Sequence, residues 1–499
     1  MKGRTVLVAG AGVSGLAAAG VLVAEGARVL VSDDRAEALE SLPAGAEPAE
    51  GLPEGVDLVV TGPGRRPDHP LVAEAAARGV EVIGEPELAW RLGAARPTPP
   101  AWLVVTGTNG KTTTTGMLAS ILTAAGLDAV ACGNIGYPVV SAVAAGHAVL
   151  AVELSSFQLH WSPSIRPAAG LVLNIAEDHL DWHGSLEAYA RAKARALVGE
   201  VAIAGVDDEI AARLLDESPA RHTVGITLGA PARGQLGIEH GQLVDRAFPF
   251  AGPPETGASP TPASRHIREP ETHIHDDGTV LAEAAGIRPA GPPGLIDALG
   301  AAALARAHGV GAEAVRAGLA EFTPGAHRST PVGTVAGVTY VDDSKATNPH
   351  AADAALAAQP AGRIVWIAGG LLKGARIDDL VARHADRLRG VVVIGTERVE
   401  IADALARHAP EVPTSEVTEG DDEVMSSAVR RAAQLARPGD VVLLAPAAAS
   451  MDQFRDYAHR GQAFASAVHD LEAAHDLGAA HDLDAARELE AVRAPGEGR

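Results

Sequence analysis

The segment at positions 106–113, TGTNGKTT, constrains the fold of this 499-residue chain more than any other stretch. It follows an apolar run at 102–105 and precedes a helix-like stretch at 117–125. A strand, a glycine-containing loop and Lys-Thr at a helix start form an arrangement that binds nucleotide phosphates, because backbone N–H groups, the helix dipole and the lysine all attract anions. The expected ligand is ATP, and the predicted contacts are Gly107, Thr108, Asn109, Gly110, Lys111, Thr112 and Thr113.

The composition excludes several classes of partner. A formal net charge of −22 argues against non-specific binding of nucleic acid or of an anionic membrane, because both need a basic surface. The single cysteine, Cys132, excludes an intrachain disulfide and favours a reducing compartment. Glycines interrupt the apolar N-terminus, and no run reaches the roughly 18 apolar residues of a membrane span. We therefore expect a soluble, cytoplasmic, monomeric enzyme with small-molecule substrates and neither a nucleic-acid nor a membrane partner.

Alternating apolar strands and helical stretches predict an α/β protein with mostly parallel, doubly wound sheets. The length favours about three domains. We expect a Rossmann-like N-terminal domain at 1–95, a phosphate-loop-type central ATPase domain at 96–324 and a Rossmann-like C-terminal domain at 325–470. A low-complexity tail would occupy 471–499, and the Pro- and Ser-rich stretch at 248–271 would be a surface insertion or mobile loop.

A second glycine motif, GAGVSG, opens the chain after an apolar strand. Gly10, Gly12 and Gly15, with Asp33 and Asp34 about twenty residues later, fit the dinucleotide-binding fingerprint. Taken alone, the motif favours an oxidoreductase that uses NAD or FAD. A second anion-binding loop a hundred residues later fits a nucleotide-sugar together with ATP better.

Polar residues at the ends of central strands suggest a metal site. Glu153 ends an apolar strand near the phosphate loop and could hold Mg²⁺ together with Thr112. His179 follows another strand and could reach the same centre, although a lone histidine is more often structural. Lys193, in the helical run SLEAYARAKARAL, has the sequence context of a solvated surface lysine.

The phosphate loop, GNIG around Asn134, AVELSSFQL at 151–159 and NIAEDHLDWH at 174–183 together resemble the central domain of the Mur ligases. The loop itself has the shortened form that this family shares with folylpolyglutamate synthetases. The resemblance implies that Lys111, Glu153, His179 and Lys193 are catalytic. It also implies two Mg²⁺ ions held by Thr112, Glu153, His179 and a Lys193 carbamylated by CO₂. It implies that UDP-linked substrate contacts Val13, Ser14, Asp34, Arg35, Gly64, Asn134, Ser155 and Gln158.

The stretch YVDDSKATNPHAA at 340–352 resembles the branch of the Mur ligases that adds D-glutamate. The implied activity is ATP-dependent addition of D-glutamate to UDP-N-acetylmuramoyl-L-alanine through an acyl phosphate, a step of peptidoglycan precursor synthesis. Arg328 and Asp343 would contact ATP. The implied D-glutamate contacts are Lys345, Thr347, Lys373, Ser450, Met451 and Tyr457.

One stretch departs from the family pattern. Where the family has G-x-HN-x-x-NAL, this chain has GPPGLIDAL at 291–299, so Asp297 replaces an asparagine that contacts the ATP base. An amide donates and accepts, whereas an ionised carboxylate only accepts and adds charge near phosphates. Weaker ATP binding is expected, and a catalytically weakened nucleotide-binding paralogue stays an alternative. If the loop has been rebuilt, Asp297 would instead point to solvent.

The C-terminal region carries a six-residue repeat, with HDLEAA at His469, HDLGAA at His475 and HDLDAA at His481. A period of six turns each leucine by about 120° on a helix, so the leucines form no stripe. This pattern predicts a marginal, solvated helix or a disordered tail. The histidine spacing forms no i,i+4 pair, which argues against a metal site.

Overall fold

A computed structural model describes residues 1–248, 278–418 and 424–493, and the side chains as far as residue 475. Within these residues the chain forms three β-sheets. The chain divides into two compact units, Met1–Thr323 and a second that begins at Pro324. None of the described helices combines the length and apolar composition needed to cross a membrane.

The first sheet has five parallel strands in the order β3-β2-β1-β4-β5, counted over the described residues. Its elements are β1 (Thr5–Ala9), α1 (Val13–Ala24), β2 (Arg28–Ser32), β3 (Ala46–Pro48), β4 (Leu58–Thr61), α2 (Pro70–Ala77), β5 (Glu81–Gly84) and α3 (Glu85–Ala94). The strand order reverses between β1 and β4. In such a sheet ligands bind beyond the carboxyl ends of the strands at the reversal. The order is compatible with the Rossmann-like prediction for this region.

The second sheet has nine described strands in the order β14-β13-β12-β11-β10-β9-β6-β8-β7. The strands are β6 (Ala101–Thr106), β7 (Ala129–Gly133), β8 (Val149–Glu153), β9 (Ala169–Val172), β10 (Val201–Gly205), β11 (His222–Ile226), β12 (Gln235–Glu239), β13 (Gln242–Asp245) and β14 (Thr279–Glu283). The helices are α4 (Lys111–Ala124), α5 (Val139–Ala145), α6 (Ser156–His160), α7 (Leu180–His183), α8 (Leu186–Ala194), α9 (Glu209–Asp216), α10 (Pro292–Ala307) and α11 (Ala312–Glu321).

The third sheet lies in the second unit, where the described strands follow the order β15-β16-β20-β17-β18-β19. The strands are β15 (Thr330–Val335), β16 (Val338–Asp342), β17 (Ile364–Gly369), β18 (Leu388–Ile394), β19 (Thr414–Glu416) and β20 (Val441–Leu444). The helices are α12 (Pro349–Ala357), α13 (Asp378–His384), α14 (Arg398–His408), α15 (Val424–Leu435) and α16 (Tyr457–Arg493).

The predicted α/β class with mostly parallel sheets is confirmed. Two antiparallel parts were not predicted, namely β12–β14 at one edge of the second sheet and β15 at the edge of the third. The strand that ends in Glu153 pairs with the strand that leads into the phosphate loop, as a nucleotide site requires. The domain boundaries at 95 and 324 stay predictions, because the first two sheets belong to one compact unit.

The C-terminal helix passes the predicted boundary at 471 without a break. Helix α16 includes the repeats that begin at His469, His475 and His481. Of the two predicted forms, the helix is therefore the one present through Arg493. Residues 494–499 and the predicted insertion at 249–271 lie outside the described residues.

The first two sheets share one hydrophobic core, which explains their place in a single unit. Val8 of β1, Leu88 of α3 and Val152 of β8 are fully or almost fully buried in the same cluster. Trp90 and Trp102 pack edge to face in this region, with ring centroids 5.3 Å apart. Apolar burial of this kind, at about 25 cal/mol per Å², provides most of the favourable free energy that joins the two sheets.

A buried carboxylate lies in this shared core. Glu85, at the start of α3, accepts a 2.6 Å hydrogen bond from the backbone N–H of Val140, while its Oε2 has no partner among the described residues. Burial raises the pKa of Glu85 to about 7. The nearby Cys132 thiol is completely buried, and burial followed by the charge of Glu85 raises its pKa well above the ordinary value.

The raised pKa of Glu85 predicts a pH-dependent stability. Between about pH 4.5 and 7 the unfolded chain has released this proton while the folded chain holds it, so the free energy of unfolding falls as pH rises. The integrated loss is on the order of 3 kcal/mol. Chemical denaturation at several pH values should show this fall in the unaltered chain but not in Glu85→Gln. The exposed-site control Glu54→Gln should keep it, and identical profiles for Glu85→Gln and the unaltered chain would contradict the assignment.

Candidate functional site

The phosphate loop occupies the four residues between β6 and α4. Gly107 and Gly110 have φ angles of 154° and 84°, which L side chains rarely adopt. A Cβ on Gly110 would also lie 2.1 Å from Oδ1 of Asp297. Lys111 folds back over the loop and donates to the carbonyls of Gly107 and Thr108 at 3.0 and 2.8 Å. The predicted loop is thus confirmed as a strand-to-helix turn that places backbone N–H groups at a helix start.

The segment after β9 holds this loop from one side. Thr108 N–H donates to the Asn174 carbonyl and Asn109 N–H to the Asn174 side chain, both at 2.9 Å. The Thr108 hydroxyl lies 3.1 Å from the Tyr189 hydroxyl and accepts a bond from the N–H of Ala176. Because β9 pairs directly with β6, the two segments meet at the carboxyl edge of the sheet.

Glu153 ends β8 on the other side of β6 and is 1% exposed. Its Oε1 accepts a 3.0 Å bond from the side chain of Asn134, whereas its Oε2 is buried without a partner among the described residues. An unsatisfied buried carboxylate oxygen is costly, and a divalent cation is the partner that would satisfy it. The geometry therefore fits the predicted Mg²⁺ role, with Asn134 orienting the carboxylate.

The remaining predicted metal ligands have mixed surroundings. His179 precedes α7 with a left-handed φ of 54°, and its ring packs on Phe157 at 4.6 Å. Its Nε2 lies 3.7 Å from a carboxylate oxygen of Asp178. Thr112 is half-buried in the first turn of α4. Within the described residues no three His, Cys, Asp or Glu side chains cluster as a metal site, so the ligand set stays a prediction that needs Thr112 and Lys193.

Lys193 is not a solvated lysine, so the interpretation drawn from its sequence context is wrong. It is 1% exposed, and its Nζ donates to the Gly107 carbonyl at 2.6 Å and to the Thr106 hydroxyl at 3.3 Å. Its ammonium lies 4.7 Å from the centre of the Tyr189 ring. Burial, and then the charge of Lys111, lower the pKa of Lys193 well below its ordinary value. A buried lysine of this kind is a candidate for chemistry that needs a neutral amine.

Asp297 is 4% exposed in α10, so the expectation that it points to solvent is wrong. Its Oδ1 accepts a 3.1 Å bond from the Thr114 hydroxyl of α4. The carboxylate packs against Gly110 of the phosphate loop. The helix itself begins at Pro292, and Gly294 allows an approach to the Pro289 carbonyl that a Cβ, at 1.8 Å, would prevent. The unusual GPPG sequence is thus a tightly packed helix start.

A cleft of about 650 Å³ lies at the reversal of the first sheet. Its lining includes Gly10, Asp34, Gly64, Arg65 and His69. Two of the predicted UDP contacts, Asp34 and Gly64, therefore share one cavity. The other predicted contacts near it differ in exposure, since Val13 and Arg35 are exposed and Ser14 is half-buried at the start of α1.

Asp33 has a different role from its neighbour Asp34. Its carboxylate accepts bonds from the N–H groups of Ala11 and Arg35 at 2.7 and 3.0 Å. These backbone bonds lower the pKa of Asp33 below the ordinary value. The anionic carboxylate of Asp33 therefore holds the glycine turn after β1 in place. Asp34 is the carboxylate that lines the cleft.

Ser155 and Gln158, both predicted substrate contacts, form a capping box at the start of α6. Gln158 N–H donates to the Ser155 hydroxyl at 3.2 Å, and Ser155 N–H donates to the Gln158 side chain at 2.9 Å. Gln158 is 4% exposed. Their side chains thus stabilise the helix start that follows Glu153, and their substrate contacts stay predictions.

The sequence did not predict the contacts that join this cleft to the segment after His179, one of the predicted metal ligands. Arg66 donates to the Asp181 carbonyl at 2.7 Å, and the Trp182 indole donates to the Gly64 carbonyl at 3.4 Å. Arg65 lies 2.8 Å from a ring nitrogen of His69. The basic pair inside GRRPDHP was the available signal, because two arginines beside glycines at a strand end favour an anionic ligand.

In the second unit, Lys345 and Tyr457 meet. The Lys345 ammonium lies 3.7 Å from the centre of the Tyr457 ring, a cation–π contact. Both residues are half-buried. Thr347 follows two residues later, and its N–H donates to the Lys345 carbonyl at 2.8 Å. Asn348 caps α12 by accepting from Ala351 N–H at 2.9 Å, and Pro349 follows as the first helical residue.

The segments of Lys373 and Ser450 are held together by backbone bonds. Leu371 and Ala449 exchange two bonds of 2.9 and 2.8 Å. Ser450 is buried, whereas Met451 is 65% exposed and Lys373 is exposed with a left-handed φ of 54°. The structure thus brings the Lys373 and Ser450 segments side by side, and their contacts with D-glutamate stay predictions.

Asp343 and Arg328 are the two predicted ATP contacts of this unit, and they are connected through Ser329, the residue after Arg328. The Ser329 hydroxyl donates to Asp343 Oδ2 at 3.1 Å. Burial raises the pKa of Asp343 to about 6, and the charge of Arg328 opposes that rise. Just before Arg328 in the sequence, His327 Nδ1 lies 2.6 Å from Asp342 Oδ2.

Comparisons with family models and with known proteins point to the same kind of protein. The Mur ligase middle domain matches residues 105–241, and the Mur ligase glutamate ligase domain matches residues 327–448. A UDP-N-acetylmuramoylalanine–D-glutamate ligase of Rhodococcus jostii is 52% identical over 95% of this chain and 96% of its own length. The protein of the same name from Nocardia farcinica is 51% identical over 95% of this chain and 98% of its own length. These relatives are ligases, so the oxidoreductase alternative gains no support.

Solved structures agree in fold. The UDP-N-acetylmuramate–alanine ligase of Thermotoga maritima is similar with a TM-score of 0.55. The match covers 94% of this chain and 99% of that one, at 17% identity. An identity this low supports a common fold and no more.

The position of Asp297 predicts an effect on nucleotide affinity. In Asp297→Asn the amide oxygen can still accept from Thr114, while the negative charge beside Gly110 is removed. We expect ATP to bind about 5-fold more tightly, equivalent to about 1 kcal/mol. Calorimetric titration of both proteins measures this difference. Thr114→Val, which keeps the charge, should bring no gain, and an unchanged dissociation constant for Asp297→Asn would remove Asp297 from the site.

Proposed function

The chain belongs to the Mur ligase family, and on that premise we propose that it adds D-glutamate to UDP-N-acetylmuramoyl-L-alanine with ATP. The observation that carries the proposal is the identity of 52% with a ligase of that name over 95% of this chain. The DSKATN segment, which contains Lys345 beside Tyr457, supports the same branch. The setting is peptidoglycan precursor synthesis in the cytoplasm, where ATP is available, and the protein acts as a monomer.

The reaction joins a carboxylate to an amine. A carboxylate is a poor acyl donor because oxide would have to leave, so its oxygen first attacks the γ-phosphorus of ATP and ADP departs. The amine of D-glutamate then attacks the carbonyl carbon of the acyl phosphate. The tetrahedral intermediate collapses with loss of inorganic phosphate and of the amine proton, and an amide remains. Charge develops on phosphoryl oxygens in the first step and on the carbonyl oxygen in the second.

The phosphate loop provides cations and N–H donors for the first step. Lys111 and the backbone from Gly107 to Thr112 stabilise the transferring phosphoryl group. Mg²⁺ would supply further positive charge there. Glu153 and Thr112 would hold one ion, and His179 with Lys193 would complete the predicted set. The unpartnered Oε2 of Glu153 is the observation that favours this assignment.

Lys193 suits the predicted carbamate. Its neutral amine would attack the carbon of CO₂ and lose one proton, and an anionic carbamate would replace the amine. Its burial and lowered pKa favour the neutral amine that this step needs. A carbamate would also give this position an anionic oxygen ligand for a metal ion. A lysine at this buried position would then serve metal binding as an acidic residue would.

The amine substrate is the first testable part of the proposal. Phosphate release should require ATP, UDP-N-acetylmuramoyl-L-alanine and D-glutamate together, because the dicarboxylate is recognised by the cations of the second unit. Lys373→Met should raise the D-glutamate KM at least tenfold and leave the ATP KM within about twofold. The control Lys2→Met, at an exposed position before β1 of the first unit, should behave as the unaltered enzyme. Equal turnover with L-glutamate or L-alanine would refute the proposal.

The carbamate has its own test. In ¹³C-bicarbonate the unaltered protein should give a carbamate carbonyl signal by NMR, and Lys193→Ala should not. The substitution should also lower kcat by about 100-fold or more, since a loss of 3 kcal/mol in transition-state stabilisation has that effect. A short added carboxylate should restore part of the activity. Full activity in Lys193→Ala would show that no carbamate is needed.

A further inference from the structure

Arg460 is a buried arginine that the proposed reaction does not use. It lies in the first turn of α16 and is 1% exposed. Its guanidinium donates no hydrogen bond to a carboxylate among the described residues; its bonds go to three carbonyls and one hydroxyl. Burying a guanidinium in this way is costly unless its donors are satisfied. The directions of those bonds therefore indicate what the residue does.

The acceptors belong to three segments at the ends of neighbouring strands, which we call the glutamate loops and define as 343–348, 369–374 and 446–451, the second starting with the last residue of β17. Arg460 Nε and Nη2 donate to the hydroxyl and carbonyl of Ser344 at 3.0 and 2.9 Å. Its Nη1 donates to the carbonyls of Gly369 and Ala448 at 3.3 and 3.0 Å. One side chain thus contacts all three glutamate loops.

The glutamate loops carry most of the residues predicted to bind D-glutamate. Lys345 and Thr347 lie in the first loop, Lys373 in the second, and Ser450 and Met451 in the third. The loops follow β16, β17 and β20, which are adjacent and parallel, so all three leave the same edge of the sheet. Tyr457, the sixth predicted contact, begins α16, and its carbonyl accepts from the Ser344 hydroxyl at 2.8 Å.

The loops adopt conformations that need external support. Lys373 and Ala447 have left-handed φ angles of 54° and 59°, which are unfavourable for residues with a Cβ. Such conformations persist only where surrounding contacts determine them. A planar guanidinium with donors in a fixed fork can hold several carbonyls at set angles, which a flexible ammonium cannot do.

We propose that Arg460 is a positioning residue that fixes the three glutamate loops relative to one another and thereby sets the affinity for D-glutamate. Among the described residues, none of its side-chain hydrogen bonds goes to a predicted substrate contact. The inference rests on the proposed function for its kinetic consequence. The structural part of the inference, that one side chain fixes three loops, does not depend on the proposed function.

Hydrogen exchange followed by mass spectrometry tests the structural part. In Arg460→Met, which removes the donors and keeps the length, backbone amides of all three glutamate loops should exchange at least tenfold faster. The matched control is Arg389→Met, because Arg389 also bonds a buried partner, Asp440, but at the amino ends of the strands. It should leave exchange in the glutamate loops unchanged. Faster exchange in one loop only, or in none, overturns the proposal.

Kinetics test the consequence. The D-glutamate KM should rise at least tenfold in Arg460→Met and less in Arg460→Lys, while the KM for the UDP-linked substrate, whose predicted contacts all lie in the first unit, stays within twofold. A residue that only stabilises the fold would lower the melting temperature and leave both KM values alone, which overturns the positioning role. If Arg460→Met does not fold, Arg460→Lys, which keeps the charge and loses the planar fork, should still raise the D-glutamate KM several-fold.

The two failures are distinguishable. If the unaltered protein releases no D-glutamate-dependent phosphate, the proposed function is wrong, and hydrogen exchange still decides whether Arg460 fixes the loops. If the unaltered protein is active and the D-glutamate KM does not respond, the proposed function stands and the role of Arg460 is refuted.

Discussion

The close packing of a four-residue loop between β6 and α4 is the constraint on which the first unit depends. Gly107 and Gly110 adopt φ angles that exclude a side chain, and the space beside Gly110 is filled by Asp297. Because β8 and β9 flank β6, Glu153 and Asn174 emerge on either side of this loop. A substitution at either glycine would therefore disturb the helix start and both flanking strand ends together.

Features that depend on neighbouring residues in the sequence could be predicted. The phosphate loop and the apolar strand before the first glycine motif each follow from short segments whose geometry is set locally. The burial of Lys193 could not be predicted, because it depends on α8 packing beneath a loop more than eighty residues away in the sequence. Arg460 was missed for the same reason. In the sequence YAHRGQAF nothing distinguishes it from an exposed helix residue, although the glycine after it marks a close approach.

The antiparallel edges escaped prediction for a different reason. Strands β12, β13 and β14 begin and end with polar residues, as in QLGIE, QLVD and TVLAE, so they lack the continuous apolar runs that mark the central parallel strands. Asp297 shows the limit of a pattern comparison. Its sequence position suggested that the side chain either points to solvent or contacts the ATP base. In the structure, the hydroxyl of Thr114 in α4 and the space beside Gly110 determine where the carboxylate lies.

Among the described residues, three buried basic side chains are accommodated in three ways. Arg306 pairs with Asp245 at 2.8 Å, Arg460 bonds to carbonyls and a hydroxyl, and burial lowers the pKa of Lys193 well below its ordinary value. These solutions follow the physical choices open to a charge removed from water, namely pairing, solvation by backbone dipoles, or loss of the charge. Only the last leaves a nucleophile, and it occurs beside the phosphate loop.

Cys132 gives the chain a practical property. Its thiol is the only one in the sequence, it is fully enclosed in the core shared by the first two sheets, and it is held in the protonated form. Alkylating reagents and mild oxidants attack thiolates that they can reach, so they should leave the native protein unmodified. The unaltered chain is therefore a ready background for spectroscopic probes: a cysteine introduced at any exposed position would be labelled alone, without first removing a native thiol.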